Sequence, residues 1–230
     1  YLKNKTIFVK SKNSVREYEK VVTTMPLPDL INATKEWVPK KIVAQSKKLI
    51  INPMYVVSLG ILGKDENKYT AIYFPEKDFL VNRISFPSTF SKFNAPKNCH
   101  SIQAEITYKK SSKINKMKDS DIIDHVVSGL RKRKLIKGKI ILKDLKRCEK
   151  SYVVYDLNYK KRIDYIQKFF ESKNIFLLGR FSLFEYVNVD MALKSSLKLA
   201  AKFNSKNKIN IKTENLLLKK ALRKIGSIWL

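Results

Sequence analysis

Gly179-Arg180-Phe181-Ser182-Leu183-Phe184-Glu185-Tyr186-Val187-Asn188-Val189-Asp190 is entered from the apolar run Ile175-Phe176-Leu177-Leu178 and left through the segment 191–202, MALKSSLKLAAK. A short apolar run ended by Gly is the signature of a buried strand. The segment after Asp190 has strong helix formers and no Gly or Pro, and Asp is a preferred N-cap. The stretch therefore reads as strand, loop and helix start, with Asp190 capping the helix. Such a junction aims free backbone N–H groups and the positive end of a helix dipole into the loop, a seat for an anion or a polarised carbonyl.

Upstream of this stretch, residues 160–171 carry Ile163, Ile166, Phe169 and Phe170 on one helical face. Before them, 139–145 and 151–157 read as two strands. A helix is expected from Asp119 to about Leu135, with acids in its first turn and Arg131, Lys132, Arg133 and Lys134 in its last. That basic cluster complements the dipole as a solvated helix end. Residues 100–108 alternate Ile102, Ala104, Ile106 and Tyr108 against Gln103, Glu105 and Thr107, a strand with one buried face. Further back, 54–62, 69–74 and 83–86 form a β-rich block. The connection with Gly63, Asp65 and Asn67 suggests an antiparallel hairpin between its first two strands. Residues 5–10 and 15–24 read as two strands around a turn at Lys12-Asn13-Ser14, the second closed by Pro26 and Pro28. The section through Pro39 and Pro53 reads as connection. The tail is 206–211, then a helix over 213–225 with Leu216, Leu217, Leu218, Leu222 and Ile225 beside Lys219, Lys220, Arg223 and Lys224. A basic amphipathic helix of this kind is suited to an anionic membrane surface, although docking on its own domain is commoner.

The formal charge of +28 over 230 residues, with 44% apolar composition, describes a folded chain with an unusually basic surface. Nucleic acid or an anionic membrane is the direct reading of that charge. Only 8 of the 48 basic residues are Arg, however, and base and phosphate readers rely on Arg for bidentate contacts. The lysines are spread over nearly every segment, which argues against nucleic acid as the main partner. Cys99 and Cys148 are too few for a disulfide scaffold, and no apolar run approaches the ~20 residues of a membrane span. The start, Tyr1-Leu2-Lys3-Asn4-Lys5, has no signal-peptide profile, so a cytoplasmic protein, with peripheral membrane contact left open, is expected.

Catalytic signatures are scarce. His100, His125, Cys99 and Cys148 show no metal-ligand spacing, so no metal site is expected. G-x-S-x-G and G-x-x-x-x-G-K-[ST] are both missing, and the six glycines, at 60, 63, 129, 138, 179 and 226, form no G-x-G-x-x-G.

G-R-F-x-x-x-E-Y-x-N-x-D at 179–190, followed by a helix rich in small residues, resembles the C-terminal flavin-contacting segment of the FAD-dependent amine oxidase superfamily. That group includes protoporphyrinogen oxidase-like proteins and UDP-galactopyranose mutases. Two further stretches resemble the same family in the same order. One is Val21-Val22-Thr23-Thr24-Met25-Pro26-Leu27-Pro28-Asp29-Leu30. The other joins Ile72-Tyr73-Phe74-Pro75-Glu76 to Phe86-Pro87-Ser88-Thr89-Phe90-Ser91.

The resemblance implies an α+β chain: a mixed, largely antiparallel sheet forming a substrate domain with packed helices, flanked by the C-terminal remainder of a Rossmann-like FAD domain. Residues 1–31 would be the last hairpin and strand of that FAD domain and 32–172 the substrate domain. Residues 173–203 would be the returning strand and helix, and 204–230 a basic amphipathic tail. It further implies that Gly179, Arg180, Asn188, Val189 and Asp190 contact the cofactor, and that Tyr186, Phe184 and Tyr73 line the substrate side. Because the glycine fingerprint for the pyrophosphate is missing, the FAD site would be incomplete here. An N-terminal Rossmann half is then the expected missing partner, and the chain is expected to be inactive without it. The substrate would be a small molecule or glycan-related. Mutases carry Tyr at the position of Phe184 and Asp at that of Asn188, and use such tyrosines to hold a sugar-nucleotide diphosphate. Phe184 offers no hydroxyl, which puts an oxidoreductase ahead of a mutase-like flavoenzyme.

Overall fold

The computed structural model describes residues 2–3, 6–63 and 68–204. The expected tail elements at 206–211 and 213–225 lie outside them. The chain divides into two compact units, one built from the residues up to Ile50 and from Val153 onward, the other from Ile51–Tyr152.

The second unit is a five-stranded sheet covered by one long helix. Its strands are β5 (Ile50–Leu62), β6 (Ala71–Tyr73), β7 (Arg83–Ser85), β8 (Cys99–Thr107) and β9 (Ile140–Val154), in the order β6-β7-β8-β5-β9. The β6/β7, β7/β8 and β8/β5 pairs are antiparallel. Together with the helices, this is the mixed, largely antiparallel α+β class read from the sequence. Alternation along β5 buries Tyr55, Val57, Leu59 and Ile61, and β8 buries His100, Ile102, Ala104 and Ile106. The helix α3 (Asp119–Lys132) lays Ile122, Val126, Val127 and Leu130 into the same core.

The expected hairpin between the first two strands does not form, because β7 and β8 lie between β5 and β6. Sequence proximity favoured a hairpin, but β6 offers only three residues, whereas β8 matches β5 over nine paired positions from Met54↔Thr107 to Leu62↔Cys99. The two strands expected at 139–145 and 151–157 are one, β9. Its charged middle, from Lys143 to Lys150, broke the apolar pattern, yet β9 is a sheet edge, where charge is tolerated and blocks further pairing. Within the sheet, Arg83 of β7 pairs with Glu105 of β8.

His125 of α3 accepts a hydrogen bond from the Leu80 amide at its Nε2 (3.1 Å) and lies beside the Phe79 ring. Burial and, second, the Arg133 guanidinium lower its pKa; Asp78 acts in the opposite sense. A neutral imidazole is therefore favoured in the fold. Its contribution is full above the unfolded value of about 6.5 and is lost as pH falls from there through the lower folded value. Thermal melts between pH 7.5 and 5 are expected to show His125→Gln losing less stability on acidification than wild type. Parallel losses would disprove the coupling.

The first unit starts with an antiparallel three-stranded sheet of β1 (Leu2–Lys3), β2 (Thr6–Lys10) and β3 (Val15–Tyr18), followed by β4 (Val21–Thr23). The section read as Pro-punctuated connection holds two helices, α1 (Leu27–Ala33) and α2 (Lys40–Ser46). Pro28 sits in the first turn of α1 and Pro39 is the N-cap of α2, positions that need no amide donor, so these prolines start helices instead of only closing a strand. After β9 come α4 (Tyr159–Glu171), β10 (Ile175–Leu177) and α5 (Val189–Phe203). Ile163, Ile166 and Phe170 of α4 are buried, and Trp37 packs its ring against Phe169 and Phe170.

Candidate functional site

The site grows from β10, whose three residues are all buried, as its uninterrupted apolar run requires. It pairs in parallel with β4, Ile175↔Val21 through Leu177↔Thr23, and the Leu178 amide donates to the Thr23 carbonyl (3.0 Å). The chain turns at Gly179 with φ 84, in the region open to Gly. One turn later the Leu27 amide donates to the Phe181 carbonyl (3.1 Å). The stretches 21–30 and 175–190, far apart in sequence, are thus one physical element.

The loop is stapled to itself. The Leu183 amide donates to the Gly179 carbonyl (3.0 Å) and the Glu185 amide to the Arg180 carbonyl (2.8 Å). Arg180 donates through Nη1 to the Val187 carbonyl (3.3 Å) and lays its guanidinium over the rings of Tyr186 (4.3 Å to centroid) and Phe181 (5.7 Å). Cation–π contact of this kind helps to hold the guanidinium in place. Tyr186, half exposed, donates its amide to the hydroxyl of Tyr155, whose ring stacks on Tyr159 (4.2 Å). The sequence places Tyr155 only within the strand expected over 151–157, whereas β9 ends at Val154 and the fold brings Tyr155 to the loop.

Gly179, Arg180, Tyr186, Asn188, Val189 and Asp190 therefore stand together along one loop and helix start. Two of the expected residues are placed differently. The helix begins at Val189 with Asn188 as N-cap, in extended backbone, so Asp190 is not the cap. It lies inside the first turn, where its carboxylate complements the dipole. Phe184, expected on the substrate side, is completely buried, with φ 54. A bulky side chain in this region is strained, and burying its ring is what holds it there, so Phe184 anchors the loop from within and presents no surface to a ligand. Tyr73 belongs to the other unit, on β6, where it is exposed and faces the guanidinium of Arg83 (6.0 Å).

Gly179→Ala tests the turn. A Cβ there would meet only the Thr24 side chain, at 3.8 Å, an ordinary contact, so the cost is the backbone alone. We expect a loss of about 1–2 kcal/mol in urea unfolding. A neutral result would mean that the loop relaxes to negative φ.

Among the described residues, no three His, Cys, Asp or Glu side chains gather as a metal site, and no helix is long and apolar enough to cross a membrane. What the loop offers is a fixed cation beside the exposed first turn of α5, an arrangement for negative or developing negative charge.

No protein-family model matches the chain, and no curated protein matches its sequence. Solved structures do match. Reduced UDP-galactopyranose mutase is 22% identical with a TM-score of 0.73, over 89% of this chain and 45% of the mutase. A protein from Exiguobacterium sp. 255-15 assigned as a protoporphyrinogen oxidase is 11% identical with a TM-score of 0.63, over 78% of this chain and 40% of its own. A fatty acid isomerase from P. acnes that produces CLA is 15% identical with a TM-score of 0.59, over 87% and 45%. The chain spans less than half the length of each. UDP-galactopyranose mutase and protoporphyrinogen oxidase are groups that the sequence resembles, and this chain shares the fold of the part of each that it matches.

Proposed function

We propose that this chain is the substrate-domain portion of an FAD-dependent oxidoreductase of the amine oxidase and protoporphyrinogen oxidase-like superfamily, which works together with an N-terminal Rossmann half. The observation that carries this reading is the parallel β4/β10 pair leading through Gly179 into the open first turn of α5. Parallel strands are ordinarily interior pieces of a larger, covered sheet. Here the pair consists of two three-residue strands among the described residues, with Val22 exposed. In this reading residues 1–31 and 173–203 join the FAD domain, and 32–172 form the substrate domain.

The residues present fit the group. Asn188, Val189 and Asp190 are exposed at the helix start, and Gly179 brings no Cβ to the turn. They would hold FAD, with Arg180 beside them. When bound, FAD supplies hydride acceptance and return. The chain's part is electrostatic and steric: the α5 N-terminus and Arg180 favour negative charge at the loop, and Tyr186 gives the substrate side a half-exposed aromatic face. The substrate would be a small or glycan-related molecule.

A mutase-like flavoenzyme is the second reading. UDP-galactopyranose mutase has the higher identity and TM-score of the three structures compared above. The Phe184 departure also weighs less against it, because a side chain at that position faces the interior.

The test is purification of the protein joined to a Rossmann-bearing half, by co-expression or as one polypeptide, followed by its absorbance spectrum. A yellow, flavin-loaded protein is expected, while these 230 residues alone should bind FAD weakly. A joined protein that stays colourless after refolding with FAD would refute the reading. Substrate turnover with oxidation, as against redox-neutral isomerisation, separates oxidoreductase from mutase.

A further inference from the structure

We propose that the cleft between α2 and α4 binds a small anion bearing a phosphate or diphosphate group. On one side stand Lys41 and Gln45, i and i+4 on one face of α2, with Lys48 just past its end. On the other stand Asn158, Lys161, Arg162 and Tyr165, one face of the start of α4. The cleft encloses about 330 Å³, and four of its seven lining residues are cationic while none is acidic.

On so basic a chain, surface lysines alone mean little; three features separate this group from them. First, the charges converge from two elements into a concavity, where like charges repel and low-dielectric walls focus their field unless a counter-ion sits between them. Lys41, Lys48 and Lys161 form no ion pair among the described residues, whereas neighbouring Lys160 reaches Asp164 at 3.1 Å. Second, Arg162 is held in place. Its Nη1 donates to both carboxylate oxygens of Asp156 at 2.7 Å, and its side chain is only 13% exposed. That pairing, first, and the Asn158 amide, second, hold the Asp156 carboxyl below the usual range, so the clamp persists at neutral pH. Third, the remaining lining groups suit an esterified anion. Asn158 and Gln45 offer amide donors, and Tyr165 offers a half-exposed ring with the Lys41 ammonium 5.4 Å from its centroid, a surface for the organic part. The volume suits a small ligand.

This site stands apart from the flavin reading, and its test needs only the chain itself. Calorimetric titration of the full 230-residue protein with inorganic pyrophosphate at low salt is expected to show saturable one-to-one binding. Lys48→Gln together with Lys161→Gln should weaken it about tenfold. Lys116→Gln with Lys118→Gln removes equal charge from exposed positions in the other unit and should change it less than about twofold. Absence of saturation, or equal weakening by both pairs, would overturn the proposal. Sedimentation with vesicles containing phosphatidic acid distinguishes the source: association lost in the Lys48/Lys161 pair supports the site with a lipid headgroup. Pyrophosphate binding without vesicle association supports it with a soluble ligand.

Discussion

Phe170→Ala is expected to cost roughly 3–5 kcal/mol, the largest single loss of any substitution considered for this chain. The ring is fully buried and stands edge-on to Trp37 (6.2 Å, 82°) and Phe169 (5.4 Å, 75°). Truncation removes its transfer energy and leaves a hole that these rigid rings cannot fill. Because α4 packs on both α2 and β10, the hole lies in the body that holds the Gly179 loop. Urea unfolding read by tryptophan fluorescence measures the loss, and Phe170→Leu should recover most of it. A loss below about 1.5 kcal/mol would mean that α4 collapses into the space.

Gly138→Ala is expected to destabilise by about 3 kcal/mol and to lower the Tm by roughly 6–12 °C. A Cβ on Gly138 would stand 2.0 Å from the Leu62 carbonyl oxygen and 3.0 Å from Ile61 Cγ2. The first of these is backbone of β5, and Leu62 donates its amide to the Lys139 carbonyl (2.9 Å), so neither partner can step aside without disturbing how β9 joins β5. The gain from a less flexible unfolded chain, under about 1 kcal/mol, is too small to offset that clash. An unchanged Tm in differential scanning calorimetry would show that the start of β9 can shift freely.

The elements that declared themselves in the sequence were those whose own pattern matches their surroundings. β8 alternates because one face meets the core, α3 and α4 carry apolar stripes, and β10 is apolar throughout because it is buried. Errors arose where long-range pairing outweighed local signal. The short connection after β5 suggested a hairpin, yet β8 took that edge. The charges of β9 looked like a break until its edge position accounted for them. Pro28 and Pro39 read as punctuation, and only the packing of α1 and α2 shows them starting helices. Of the candidate site, the loop and helix start were legible, while the helix boundary moved from Asp190 to Asn188 because backbone geometry sets a cap and side-chain preference only biases it.

The stretch 179–190 by itself determined that a buried strand turns through glycine into a helix, since apolar run, Gly and helix formers are local properties of the chain. Tertiary structure alone decided that Val21–Thr23 lies beside it, that Phe184 points inward, and that Tyr155 and Leu27 bind the loop. The reason is physical: local preferences amount to about 1 kcal/mol per residue and act within a turn or two. Strand partners and burial are set by contacts between segments distant in sequence, which leave no periodic trace in either one.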